Sequence, residues 1–269
     1  MDTLTFRPAD IAVPFRMQPG LERIARNACR LTPLTPGSTL HTEKLRVVRA
    51  QAARFTVPGF DEAPVLAAIE AHAPAGSGVG PPELRFEEDF AVLQADSARI
   101  PWMRVCVPSH WAPEEKIGLP LAAIHAPVAD NATLLRASQA LSQLVCDGQH
   151  WQRHVWTLSP CARYDQHPHR HKRTPWPDAH AGLDPAQWAA QCWWRIERQT
   201  FLPVPGHRLA VFAIRVQRQP LRDAVATADD ATRLRQALQS MSDAVLDYKG
   251  LRAAREPVLR WLDTLRWPG

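Results

Sequence analysis

The spacing of apolar positions changes character near residue 84, and the change separates a helical, proline-punctuated front from a strand-rich middle. Residues 1–40 are broken by prolines, with one short helix predicted over Gly20–Ala28, GLERIARNA. Residues 41–72 read as two helices, HTEKLRVVRAQAARF and APVLAAIEAHA, separated at TVPGF, where Pro58 and Gly59 break the period. The stretch PAGSGVGPP, Pro74 to Pro82, resembles a phosphate-binding loop in composition only. Such a loop must open a helix so that its N–H groups converge on an anion, whereas Pro81-Pro82 leads into a strand-like run. A flexible linker is the expectation here.

From Leu84 the pattern alternates. LRFEEDFAVLQAD and WMRVCVPSHW read as two strands, the second ending at Pro108-Ser109. Pro113-Glu114-Glu115 makes a helix first turn, Gly118 and Pro120 interrupt, and Pro127 stops the chain again. Asp130 or Asn131 then caps a helix from about Ala132 to Cys146. Three more strands follow: HVWTL (His154 to Leu158), CWWRIERQTFL (Cys192 to Leu202) and LAVFAIRVQ (Leu209 to Gln217). The last two are joined by Pro203 to Arg208, a hairpin-length connection containing Gly206. Two amphipathic helices, DDATRLRQALQSMSDAVLDYKG and REPVLRWLDTL, close the chain. Strands that cluster in this way predict an α+β fold. The expected organisation is an N-terminal helical and proline-rich extension over 1–80, a sheet domain over 81–220, and C-terminal helices over 221–269 packed on it. Clustered strands and the lack of GxGxxG argue against a doubly wound nucleotide-binding fold.

Composition narrows the partners. With 269 residues, 45% hydrophobic and 22% charged, the chain has the make-up of a folded globular protein. Its net charge of +5 is spread along the sequence, without a zinc-finger, RRM or basic-zipper pattern, so nucleic-acid binding is not expected. Cys29, Cys106, Cys146, Cys161 and Cys192 are far apart and never form CxxC, which reads as reduced thiols in a cytoplasmic protein. The start MDTLTFRPAD lacks the apolar core of a signal peptide, and GLPLAAIHAPVA is too short to span a bilayer. Neither secretion nor membrane insertion is indicated.

Several residues carry candidate chemistry. YDQHPHRHKRTPWPDAH, Tyr164 to His180, holds four of the 11 histidines. His167, His169 and His171 lack regular ligand spacing, and Arg170, Lys172 and Arg173 repel a divalent cation. The stretch is therefore expected to be a solvated surface loop, with docking of an acidic partner as its one functional claim. His125 is the only polar side chain from Leu119 to Val128. It is either a core residue bonding a backbone carbonyl or a neutral imidazole offered to iron from an apolar wall. Alternation in CWWRIERQTFL puts Arg195, Glu197 and Gln199 on one face and Trp194, Ile196, Arg198 and Thr200 on the other. That charged face is either a solvated surface with cross-strand ion pairs or a pocket in which Glu197 meets a cation and an arginine polarises a ligand. The hairpin register leaves open whether Arg215 points the same way as Glu197. Nucleophilic hydrolysis has little support: Ser109 precedes His110, but there is no GxSxG, and Cys106 and Cys161 have no base partner in sequence.

EDFAVLQAD, then VCVPSHWAPEEKIGLPLAAIHAPV, WWRIERQTF, FAIRV and a late YKGL occur in an order that resembles the haem-dependent oxidative N-demethylase alpha-subunit family, from about Pro14 to Leu251. The resemblance implies a PAS-like antiparallel sheet binding haem b, with two strands, helices, then three strands. It implies a monooxygenase-type oxidoreductase that activates O₂ to oxidise a small methylamine such as dimethylamine, releasing formaldehyde. Electrons would come from NADPH through flavin (FMN) and iron–sulfur partner subunits, since this chain has neither an iron–sulfur cysteine pattern nor a nucleotide fingerprint. On matching positions the resemblance makes His125 the axial iron ligand, with His154 in reserve. It places Glu197, Arg195 and Arg215 in the catalytic pocket, where an arginine would stabilise bound O₂ and Glu197 would hold an ammonium, and Arg198 and Trp194 beside the cofactor. The basic loop of residues 164–180 departs from the family's usual segment and leaves the substrate and reductase open. The same fold also serves as a non-catalytic gas or redox sensor, which is the rival expectation. Self-association is compatible with either.

Overall fold

Seven strands form one open antiparallel sheet, in the order β1-β5-β6-β7-β3-β4-β2. The structure is a computed structural model that describes residues 4–28, 31–126, 132–178 and 182–267, the side chains of 132–137 excepted. In chain order the elements are β1 (Glu22–Ile24), α1 (Thr39–Arg49), β2 (Arg54–Thr56), α2 (Ala63–Glu70), α3 (Pro82–Arg85), β3 (Asp89–Gln94) and β4 (Trp102–Arg104). There follow α4 (Leu121–His125), α5 (Ala132–Val145), β5 (His150–Ser159), α6 (Pro185–Ala189), β6 (Trp193–Pro203), β7 (Leu209–Pro220) and the C-terminal α7 (Leu221–Ala224), α8 (Ala228–Ser240), α9 (Asp243–Lys249) and α10 (Arg252–Thr264). The fold is mixed α+β as expected. Its five inner strands keep the expected sequence of two strands, helices and three strands.

The hairpin that organises the sheet is β6–β7. Its alternating apolar residues pair from Trp193↔Pro220 to Pro203↔Ala210, and Gly206, at φ 75°, supplies the left-handed turn residue. Alternation gives the sheet two unlike faces. Face one carries Arg153, Val155, Arg195, Glu197, Gln199 and Phe201; Leu121 and Ile124 of α4 and Val145 of α5 pack there with Ala91, Leu93 and Met103. Face two carries Trp156, Trp194 and Ile196, covered by Leu234, Leu238, Val258 and Trp261 of the C-terminal helices. Trp156 and Trp194 stack at 5.0 Å, a geometry worth about 0.5–1.5 kcal/mol beyond burial.

Several local expectations are corrected. Gly20–Ala28 is not a helix: Glu22, Arg23 and Ile24 pair with Gln152, Trp151 and His150, because the open edge of β5 offers the segment a ladder that a lone short helix cannot match. The linker ending at Pro82 leads into the single turn α3 before β3 begins. The first C-terminal helix is two, since Ser242 caps a new one by accepting the Val245 N–H. The cap at Asp130 or Asn131, the stop at Pro127, Cys29 and His180 lie outside the described residues.

Candidate active site

The site begins at a buried ion pair. Lys44 of α1 lies 3.0 Å from the Asp89 carboxylate, and the two side chains are 0% and 2% exposed. Asp89 Oδ2 also accepts the N–H groups of Cys106 and Val107, at 3.0 and 2.7 Å. The chain leaving β4 is thereby held against face one, where it delivers Ser109 to the middle of β6. His110, at φ 61°, turns the backbone directly after it.

Ser109 is the hinge of a polar network. Its hydroxyl donates to Glu197 Oε1 at 2.5 Å and accepts from Arg195 Nε at 2.9 Å. Glu197 Oε2 accepts Gln199 Nε2 at 2.7 Å, and Gln199 Oε1 accepts Arg153 Nε at 2.6 Å. Both carboxylate oxygens are thus fixed by neutral donors, each backed by an arginine. Arg195 is 2% exposed and spends its remaining N–H groups on the carbonyls of Arg163, Val107 and Tyr164. Burial pushes the pKa values of Arg153 and Arg195 down, and the Glu197 charge opposes it in both cases.

The end of α9 lies against β5. Lys249 donates to the Trp156 carbonyl at 2.7 Å and lies over the rings of Phe15 and Trp156, at 5.4 and 5.3 Å. Burial lowers its pKa to about 8, with Glu197 opposing. The Tyr248 phenol is 48% exposed, and its pKa is raised by burial and by Glu197.

His125 stands at the C-terminal end of α4 on the same side of the sheet. Its Nδ1 donates to the Leu121 carbonyl at 2.8 Å, so Nε2 carries the lone pair of the neutral ring. Burial chiefly, and the Arg153 charge among others, keep its pKa low and the ring neutral at pH 7. A backbone-anchored Nδ1–H with a neutral ring is what a metal-ligating imidazole requires, so His125 fits haem iron.

The other expected site residues are placed elsewhere. Arg215 is opposite Arg198 in the β6–β7 ladder, on face two, and pairs with Glu87 at 2.6 Å. Arg198 pairs there with Glu88 at 2.9 Å and reaches Thr32 Oγ1. Trp194 is fully buried on that face, its Nε1 donating to the Phe6 carbonyl. His154, opposite Arg198, stacks on Phe6 at 5.2 Å, and its Nε2 is buried without a hydrogen-bond partner among the described residues. Glu197, Arg195 and His125 therefore share one side of the sheet, and Arg215, Arg198, Trp194 and His154 share the other.

The histidine-rich stretch is a loop, exposed at Pro168, His169, Lys172, Arg173, Pro175 and Asp178, but it is not solvated throughout as expected. Asp165, Gln166 and His167 are buried. Arg170 makes a bidentate pair with Asp165, which also takes His171 Nε2 at 3.0 Å. His167 and His169 reach Glu114 and Glu115 at 3.0 and 2.7 Å. Arg170 is thus engaged inside the protein, which removes it from the surface proposed for an acidic partner. Trp176 Nε1 donates to the Gly250 carbonyl at 2.7 Å and ties the stretch to the end of α9. Among the described residues no cluster of three or more His, Cys, Asp or Glu has the placement of a metal site.

Sequence reasoning missed Arg153, because the predicted strand began one residue later. It weighed Ser109 as a hydrolytic nucleophile and as part of a motif, and YKGL only as part of a motif. The apolar-then-polar break at PSH, after a strand, was the available signal for Ser109.

Residues 84–259 match the family described as haem-dependent oxidative N-demethylase, alpha subunit-like. The matched span holds His125, the Ser109–Glu197–Arg195 network, Arg153 and the end of α9.

Proposed function

The chain belongs to the haem-dependent oxidative N-demethylase, alpha subunit-like family, and we propose that it is a haem-bearing subunit that removes a methyl group from a small amine. The observation that carries this reading is the buried-side network in which Glu197 is held by Ser109 and Gln199, on the side of the sheet that also bears His125. Haem, when bound, supplies the iron at which O₂ is reduced and a methyl group beside nitrogen is oxidised. His125 would hold it through Nε2, and the apolar residues Leu121, Ile124, Phe201 and Phe212 would exclude water around it.

The protein's own residues bind and orient. Glu197 presents a carboxylate to an ammonium, and the donors on its two oxygens keep it from rotating. Arg195 steadies Ser109 from behind. The reaction balances as methylammonium substrate plus O₂, two electrons and two protons giving the demethylated ammonium, formaldehyde and water. The C–N bond breaks, one oxygen atom goes to formaldehyde and the other to water. The electrons require a donor protein, in keeping with an alpha subunit that has partners. Among the described residues no helix is long and apolar enough to cross a membrane.

The test is an absorption spectrum of haem-supplemented protein, followed by artificial reduction under O₂ with dimethylamine. A Soret band and formaldehyde release support the reading. Stable O₂ binding without formaldehyde would make the chain a sensor, and no Soret band would remove haem altogether.

A further inference from the structure

A cavity of about 890 Å³ opens between β1, the end of α2, the start of β5 and the β6–β7 hairpin, and no residue of the Glu197 network lines it. Its volume is that of a site for a small organic molecule, about 300–1,000 Å³. Ile24, Ala68, Pro203 and Val204 give it apolar walls. His72 and His150 also line it, and their Nε2 atoms meet at 2.9 Å.

This imidazole pair has one vacant position for a proton. His72 Nδ1 donates to the Ala68 carbonyl at 2.7 Å, which leaves His72 Nε2 as the acceptor and makes His150 Nε2 the donor. His150 Nδ1 is then a bare lone pair, with no partner among the described residues and not sealed from solvent. A proton added there breaks none of the existing hydrogen bonds. It turns Nδ1 into a charged donor in the cavity wall.

The charges around the pair select an anion. The ladder sets Ile24 opposite His150, so Arg26, two residues further on, lies at the same end of the sheet, and it too lines the cavity. Arg26 forms no ion pair with any described residue. The other charged groups of the wall are committed: Arg23 to Gln149 at 2.5 Å, Arg208 to Asp96 at 2.7 Å, and Asp147 to the Gln149 N–H and Trp151 Nε1. Cys146, its pKa raised by burial to about 12, is a neutral thiol donating to the Leu93 carbonyl, and His207 is exposed on the hairpin. Two arginines oppose a metal ion on the histidines. Asp147 opposes a second negative charge on a ligand. A carboxylate meets both limits, with one oxygen for Arg26 and one for His150 Nδ1–H.

We propose that this cavity is a second ligand site, taking a monocarboxylate with an apolar body, its head on Arg26 and on His150 protonated at Nδ1. In the free protein burial first, then the charges of His72 and Arg26, hold His150 below the ordinary 6.5. A bound carboxylate offsets those charges and draws the proton in, so binding tightens as the pH falls.

The experiment is calorimetric titration of the full chain with sodium benzoate at pH 8 and pH 5.5, repeated on Arg26→Met, His150→Gln and His207→Gln. Benzoate is ionised throughout this range, so any pH dependence belongs to the protein. Affinity should rise as the pH falls, by at most about tenfold per pH unit, the limit for one proton. Arg26→Met, a change at an exposed position, should weaken benzoate about 10- to 100-fold, the loss of a charge-assisted hydrogen bond. His150→Gln should remove the pH dependence and His207→Gln should keep it. A reading that needs no variant is proton uptake by the native protein, from titrations near pH 6 in two buffers of unlike ionisation enthalpy. Full affinity in Arg26→Met overturns the proposal, as does a pH dependence that survives in His150→Gln. Absence of proton uptake, or of any binding at pH 5.5, overturns it as well. Tighter binding of phenyl phosphate than of benzoate overturns the carboxylate class.

Discussion

Ser109 and Glu197 are 88 positions apart in the chain, yet the serine hydroxyl donates directly to the glutamate while receiving Arg195. One neutral oxygen thus stands between a buried cation and a carboxylate. Removing it in Ser109→Ala should leave Arg195 Nε and Glu197 Oε1 unpaired, at a cost of about 1–3 kcal/mol in denaturant unfolding. Amine affinity should fall with it. A variant that keeps both stability and affinity would show the bridge to be incidental.

His125→Ala should abolish the Soret band with little loss of fold stability, because the ring is at the end of a five-residue helix. His154→Ala should do the reverse. It empties a stack with Phe6 on the far face, so the unfolding midpoint drops while the haem spectrum stays. Exchange of the two outcomes would transfer the ligand role to His154.

Lys44→Met removes one partner of a pair buried at 0% and 2% exposure. Breaking such a pair from one side costs about 3–5 kcal/mol, since the remaining charge has no water. Asp89 positions Cys106 and Val107, so the same variant should also lower substrate affinity at temperatures where it is still folded. Urea unfolding followed by tryptophan fluorescence measures the first effect, and calorimetry the second.

The pH dependence has a definite sign. His72 and His150 are both 8% exposed, with their Nε2 atoms 2.9 Å apart, and His72 Nδ1 donates to the Ala68 carbonyl. Burial first, then the His72 and Arg26 charges, hold His150 below the ordinary 6.5. The unfolded chain takes up that proton before the folded one does, so stability is full above pH 6.5 and declines as the pH falls below it. His125 and His154, lowered chiefly by burial, add to the slope. Urea midpoints from pH 8 to 5 should show this decline, and His150→Gln should make it shallower. An unchanged slope in the variant would count against the pair.

The sheet's long strands were legible because alternation in β6 and β7 runs for more than ten residues without a competing period. The same alternation correctly divided Glu197 from Arg198. It could not place Arg215, since a shift of one residue in the hairpin register moves a side chain to the other face. β1 and β2 were illegible for another reason: three-residue strands have too few positions to show a period and exist because a neighbour offers hydrogen bonds. The knot around Asp165 likewise depends on Glu114, Glu115 and Cys106, more than 50 residues away. Histidine count alone pointed to solvent or metal, and only folding supplies the carboxylates that pair them.

The two outer strands, β1 and β2, have one further consequence. Each offers three residues of exposed ladder, and where β5 runs on past β1, Lys249 occupies the Trp156 carbonyl. Sheets that end so abruptly resist continuation by a foreign strand. Association with another subunit, or with a second copy, would therefore have to be built from side chains on helices and loops. Such a surface can release a partner readily, whereas a shared sheet would hold it fast.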